Sequence, residues 1–333
     1  GDRFDRFVLL SVFFLGCGSA AIGVALSPSQ PVMVAFLALM GLFASIYHPV
    51  GLALVTQISQ RAGKGRAVNG IFGNLGLAGS AVVTGGLASW LGWSAAFIVP
   101  GMMSILVGCL LLVRLNRADS SVRVVTALPQ NAVKWPRAKN PKRAVFVVIL
   151  LSALVGGAIF NIVTITLPKF LEEALFDEGL SLARIGAWTG LIFAVAAFAQ
   201  LPVGEFLDRI GARAILVVLL VLQICCLAAL PLAQGQLALA LSLILVTCVF
   251  AEIPISTWLI GRYVAVGARS RAVSIEYTVS LGVAAVAVRI TSSLHTGGFG
   301  FGPQFQGLAL AAICVLIAAC FLPAHDTSVV RDV

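Results

Sequence analysis

Long apolar runs alternate with short polar stretches along the 333 residues, and the charges gather in the stretches. Ten runs are long enough to cross a hydrocarbon core of about 30 Å at about 1.5 Å per residue. They cover residues 7–26, 31–56, 67–89, 93–113, 144–168, 184–204, 214–233, 237–260, 272–290 and 305–323. A backbone that crosses lipid must satisfy its own hydrogen bonds, so this pattern predicts an all-α polytopic membrane protein.

Composition moves the reading in the same direction. Sixty per cent of the residues are hydrophobic, 11% are charged and the mean hydropathy is +1.05, a balance that a water-soluble fold would have to expose. The seven cysteines lie inside apolar runs without the paired spacing of a disulfide framework or a zinc site, so they read as packing residues and no cofactor is expected. The net charge of +9 does not call for nucleic acid, because the basic residues sit between spans.

Those basic residues alternate from loop to loop. Arg61, Lys64 and Arg66 mark one; Arg114, Arg117, Arg123, Lys134, Arg137, Lys139, Lys142 and Arg143 mark the longest; Arg209 and Arg213, then Arg262, Arg269 and Arg271, mark later ones. The loop assigned after the fifth span carries Glu172, Glu173, Asp177 and Glu178 instead. On this assignment 19 of 22 Lys and Arg share one side, which the positive-inside rule makes cytoplasmic, together with both ends of the chain. Lys169, Arg184 and Arg289 fall outside it, near span ends from which long side chains snorkel. An inner (plasma) membrane location follows as the expectation. The stretch 114–143, with Pro129, Pro136 and Pro141, reads as a cytoplasmic linker. It divides an N-terminal bundle (1–113) from a six-helix bundle (144–323), with a cytoplasmic tail at 324–333.

The two bundles look related. Asp2-Arg3-Phe4 matches Asp208-Arg209-Ile210, Phe43-Ala44-Ser45-Ile46 matches Phe250-Ala251-Glu252-Ile253, and Arg66-Ala67-Val68 matches Arg271-Ala272-Val273, at offsets of 206, 207 and 205. Four spans follow each Asp-Arg, yet two spans of the second half precede its own. The repeat therefore leads us to expect two helices upstream of residue 1, a six-plus-six parent seen as four plus six.

Gly204-Glu205-Phe206-Leu207-Asp208-Arg209-Ile210-Gly211 resembles the cytoplasmic loop signature Gly-x-x-x-Asp-Arg-x-Gly of the major facilitator superfamily. Gly1-Asp2-Arg3-Phe4-Asp5-Arg6 is similar to a truncated copy: Asp2-Arg3 fits the repeat and Asp5-Arg6 fits the spacing from Gly1, so both registers stay open. Tyr47-His48-Pro49, Gly65-Arg66, Asn69, Gly73-Asn74 and Gly76 resemble the fosmidomycin-resistance type of exporter. The chain departs from the family's antiporter signature, which carries Gly-Pro where Ser80-Ala81 stand here; that counts against export by proton antiport. The resemblance implies a monomeric secondary active transporter of a small organic solute, efflux or proton-coupled, in which two bundles rock around a central site. It also implies a cytoplasmic gate motif at Asp2, Arg3, Gly204, Asp208, Arg209 and Gly211, where Asp208 would pair with an Arg across the bundles.

Candidate chemistry inside the spans is sparse. Glu252 and Glu276 are acidic residues at membrane depth, where an ionised carboxylate costs about 2.5–3.5 kcal/mol and must face protein or water. Both suit proton coupling or a cationic substrate group, and Pro254 frees a backbone carbonyl near the first. His48 titrates in the range a proton carrier needs, although a histidine bonded to a neighbouring helix reads as well. Asn161, Thr164 and Gln200 suit substrate orientation, with interhelical hydrogen bonding as the commoner use. Asn69 and Asn74 lie among glycines that favour packing, and Trp188 and Trp258 read as interfacial anchors. A membrane enzyme is disfavoured, because His-Glu-x-x-His, Gly-x-Ser-x-Gly and Gly-x-x-x-x-Gly-Lys are all missing from the sequence. A facilitator-type uptake carrier and a non-transporting receptor of the same fold stay open as alternatives.

Overall fold

The computed structural model describes residues 5–47, 50–51, 62–117, 143–264 and 266–323, and among them every regular element is helical. In order these are α1 (Arg6–Ala25), α2 (Gln30–Ala44), α3 (Ala62–Leu91), α4 (Ala95–Arg117), α5 (Arg143–Leu151), a π-helical turn (Ser152–Gly156), α6 (Gly157–Ala174), α7 (Leu182–Ala197), α8 (Gln200–Ile210), α9 (Ala212–Ala229), α10 (Gly235–Tyr263), α11 (Val266–Thr296) and α12 (Gly302–Cys320). Nine stretches of described helix are long and apolar enough to span a membrane, and α2 is a shorter apolar helix. The second predicted span runs on to 56, and residues 48–49 and 52–56 of it lie outside the described residues.

By contacts the chain divides into two compact units: 1–73 with 79–133 and 181–187, and 74–78 with 134–180 and 188–333. In the first, α1 packs on α2 and α4. Without a hydrophobic force between helices in lipid, close approach supplies the dispersion energy, and it needs small residues. A Cβ on Gly18 would lie 2.5 Å from the Gly101 carbonyl oxygen, so only glycine permits this crossing of α1 and α4. Ser104 Oγ donates across the same crossing to the Phe14 carbonyl at 2.7 Å. Asp5 caps α1, accepting from the backbone N–H of Phe7 at 2.8 Å. Asp208 lies inside α8.

In the second unit α9 packs on α10 and α12, α6 on α10 and α11, and α8 on α10. Two features depart from the sequence reading. The fifth span was expected to end at residue 168, but α6 continues through Pro168 to Ala174, because Phe170 and Leu171 are buried and hold that turn in place. Glu172 and Glu173 therefore stand on a helix rather than in a loop, within reach of Lys169. Trp258, expected as an interfacial anchor, is 7% exposed, and the Arg262 guanidinium lies over its ring at 5.2 Å.

The span from 182 to 207 breaks between α7 and α8. Pro202 has no N–H for the Phe198 carbonyl, which accepts from Leu201 at 3.1 Å instead, and the helix tightens there. Gly211, with φ 80° and ψ 165°, then turns the chain from α8 into α9. Few side chains other than glycine tolerate that backbone.

Candidate functional site

Glu252 sits in the middle of α10, between buried Phe250 and Ile255. Its helix is apolar on both sides of it, so the carboxylate must find partners on neighbouring helices of the same unit. It does so on two. Gln223 of α9 donates from Nε2 to Glu252 Oε2 at 3.0 Å, and the Ser152 hydroxyl at the start of the π-helical turn also hydrogen-bonds the carboxylate. The remaining oxygen, Oε1, is buried and has no partner among the described residues. Gly156 closes the space beside it: a Cβ built there would stand 3.3 Å from Oε1. π-helical turns recur at functional sites because they aim side chains that a regular helix would not.

Glu276 of α11 is bound separately. Ser256, one turn beyond Glu252 on α10, donates its hydroxyl to Glu276 Oε1. Glu252 and Ser256, the partner of Glu276, thus stand on successive turns of one helix. Phe250 packs its ring against Phe160 and Phe193, with centroids 5.7 Å and 6.0 Å away.

The uncharged candidates fare differently. Asn161 Nδ2 donates to the Gly157 carbonyl at 2.8 Å and Thr164 Oγ1 to the Phe160 carbonyl at 2.7 Å, bonds within their own helix rather than between helices. Gln200 starts α8 at the break ahead of Pro202, and its buried Nε2 has no partner among the described residues. His48, Asp2 and Arg3 lie outside the described residues, as does the side chain of Asp208. Arg209 pairs with Glu205 on the surface of α8, one turn back. Of the motif's glycines, Gly211 is required by its positive φ, whereas a Cβ on Gly204 would meet nothing within 4 Å.

Gln223, Ser152 and Ser256 escaped the sequence reading. Gln223 interrupts the apolar run of α9 as a lone amide at mid-span, which was the available signal. Nothing in the order of residues tied it to Glu252. Among the described residues, no three His, Cys, Asp or Glu side chains converge in a way that could hold a metal ion. An apolar groove between α1 and α2 in the first unit, lined by Val12, Leu15, Phe36 and Phe43, offers almost no polar group.

Long apolar helices that carry single carboxylates at mid-span define a polytopic helical membrane protein. The sequence matches the Major Facilitator Superfamily over residues 1–288, and the chain belongs to that family. The family is one of transporters, not enzymes. Among relatives, a puromycin resistance protein, pur8, from Streptomyces alboniger is 31% identical over 128 residues, 37% of this chain and 25% of its own length. An MFS-type efflux pump from Mycolicibacterium smegmatis is 29% identical over 140 residues, 41% of this chain and 32% of its own length. The chain thus spans only about a quarter to a third of the curated relatives it matches.

Solved structures agree on the fold. A bacterial homologue of the human lysosomal transporter Spinster, inward-facing and unoccupied, gives a TM-score of 0.60 at 16% identity, covering 96% of this chain and 81% of that one. The transporter FucP, in its outward conformation, gives 0.56 at 10% identity, covering 96% and 84%.

Proposed function

We propose that this chain belongs to a secondary active transporter that exports a small organic solute by alternating access, with Glu252 as the group that exchanges a proton during the cycle. The observation that carries the reading is a carboxylate at mid-span, held by Gln223 and Ser152 and left with one buried oxygen unfilled. A static structural carboxylate would be expected to have both oxygens satisfied. Likeness to a puromycin resistance protein and to an efflux pump supports the outward direction. On this reading the protein works as a monomer in the inner membrane, with the basic loops and both ends of the chain cytoplasmic. The chain would form two bundles, 1–113 and 144–323, joined by 114–143. Glu276, His48, Asn161, Thr164 and Gln200 would line the path of solute or proton. Asp2, Arg3, Gly204, Asp208, Arg209 and Gly211 would form the cytoplasmic gate. The resemblance of residues 47–76 would place the protein near the fosmidomycin-resistance exporters.

The test uses the intact gene product in proteoliposomes with puromycin and fosmidomycin as first probes. Proton flux that depends on the solute, and its loss in Glu252→Gln, is the expected result. Solute flux that is identical in Glu252→Gln and indifferent to a pH gradient would reject the proton role. Such an outcome favours the second reading, a facilitator-type uptake carrier, for which Ser80-Ala81 in place of the antiporter's Gly-Pro already speaks.

A further inference from the structure

Gln223 is 0% exposed, and its amide is only half satisfied. Nε2 donates to Glu252 Oε2 at 3.0 Å, but among the described residues Gln223 Oε1 is buried without a donor, and so is Glu252 Oε1. Two buried acceptors therefore lie on the same pair of side chains, and both lack a hydrogen. An ionised carboxylate supplies none. Turning the amide over would not help, since it would set the Gln223 oxygen against the carboxylate. Protonation of Glu252 adds the one donor that the site is missing, on the carboxyl that already faces the amide. Each buried polar atom left unfilled costs about 1–3 kcal/mol, so filling them is a substantial preference.

We propose that Gln223 is the positioning residue of this site: it holds Glu252 as an acid–amide pair, Nε2 donating to Oε2 and the acid O–H donating to Gln223 Oε1. The site then takes a proton rather than a substrate group. Room beside Oε1 is scarce, since a Cβ on Gly156 would stand 3.3 Å from it. The inference rests on the reading of Glu252 as the proton-exchanging group. Among the described residues no other charge competes for the role on the helices packed around Glu252. The segment α5 to α6 presents Ser152 and Gly156, α9 presents the Cys226 thiol, and α10 itself carries the Cys248 thiol one turn earlier. The closest carboxyl on α11, Glu276, is engaged by Ser256, and the charges on α8, Glu205 and Arg209, pair with each other at the surface. Arg262 of α10 lies over Trp258, and Arg271 of α11 is exposed.

Infrared difference spectra of the intact gene product in lipid, recorded between acidic and alkaline pH, read this pairing directly. The expected result is a protonated-carboxyl C=O band that is lost in Glu252→Gln. In the wild type it should lie at the lowered wavenumber of a doubly hydrogen-bonded acid, and in Gln223→Met, which keeps the side-chain volume, it should move up toward the free-acid position. A band that stays put in Gln223→Met overturns the pairing while leaving Glu252 as the proton-exchanging group. A wild-type band already at the free-acid position overturns it too, and needs no variant that must fold. If no carboxyl band distinguishes wild type from Glu252→Gln, the reading of Glu252 itself fails, and the pairing with it.

Discussion

Two adjacent glycines should respond to the same substitution in opposite ways. At Gly157, the first residue of α6, a Cβ would stand 2.3 Å from Ser280 Oγ, 2.8 Å from Ser280 Cβ and 2.9 Å from Ser280 Cα on α11. The hydroxyl can rotate away, but Cβ and Cα are fixed to the helix. Carbon atoms rest at about 3.5–4.0 Å, so Gly157→Ala must push α6 and α11 apart by roughly 1 Å. Overpacking of that size costs about 1–3 kcal/mol, against about 0.5–1 kcal/mol gained from alanine's helix propensity. At Gly156 the nearest atoms are Glu252 Oε1 at 3.3 Å and Cδ at 3.7 Å, the movable end of a side chain. Gly156→Ala should therefore leave stability within about 0.5 kcal/mol while displacing the carboxylate. A difference near 2 kcal/mol between the two variants corresponds to roughly 4–8 °C in the midpoint of thermal denaturation, read by tryptophan fluorescence in one detergent. Adding Ser280→Gly to Gly157→Ala should recover part of the loss, since it removes two of the three clashing atoms. Equal stability of the two alanine variants, or no recovery with Ser280→Gly, would refute the close-approach argument.

Other expectations follow from the same structure. Glu252→Gln should keep the thermal midpoint within about 2 °C, because a glutamine amide can still meet Gln223, while proton flux falls to background. Gly211→Ala should cost about 1–3 kcal/mol in detergent unfolding, and Gly211→Asn should rescue little of it, since ψ 165° lies outside the left-handed helical region that asparagine tolerates. Gly204→Ala, by contrast, should be neutral in stability, because its Cβ meets nothing. Ser104→Ala should lose about 0.6 kcal/mol by removing the 2.7 Å bond between α4 and α1, measurable as a small fall in the same melt.

The spans were legible because length and hydropathy are local quantities, and lipid selects on them directly. Each of the ten predicted runs corresponds to a described apolar helix, though α6 outlasts its predicted end at 168 by the six residues to Ala174. That error has a physical source: charges at Lys169, Glu172 and Glu173 look like a loop until their ion pairing and the burial of Phe170 and Leu171 are known. The break ahead of Pro202 was foreseeable from proline's missing N–H, but the orphaned amide of Gln200 beside it was not. Of the loop signature, the chain order revealed the residues, and the backbone explained only the last: Gly211 must be glycine, whereas no neighbour demands Gly204.

Glu252 itself could be singled out in one dimension, since a carboxyl group inside an apolar run is costly wherever its helix lies. What surrounds it could not. Gln223 is 29 residues away in the chain and Ser152 stands on yet another helix, and they meet the carboxylate only because α9, α10 and the π-helical turn pack together. Hydropathy registers how much each segment prefers lipid, a sum over its own residues. Hydrogen-bond partners inside a bundle depend on helix rotation and on crossings set by residues such as Gly156 and Gly157, which only the packed structure fixes.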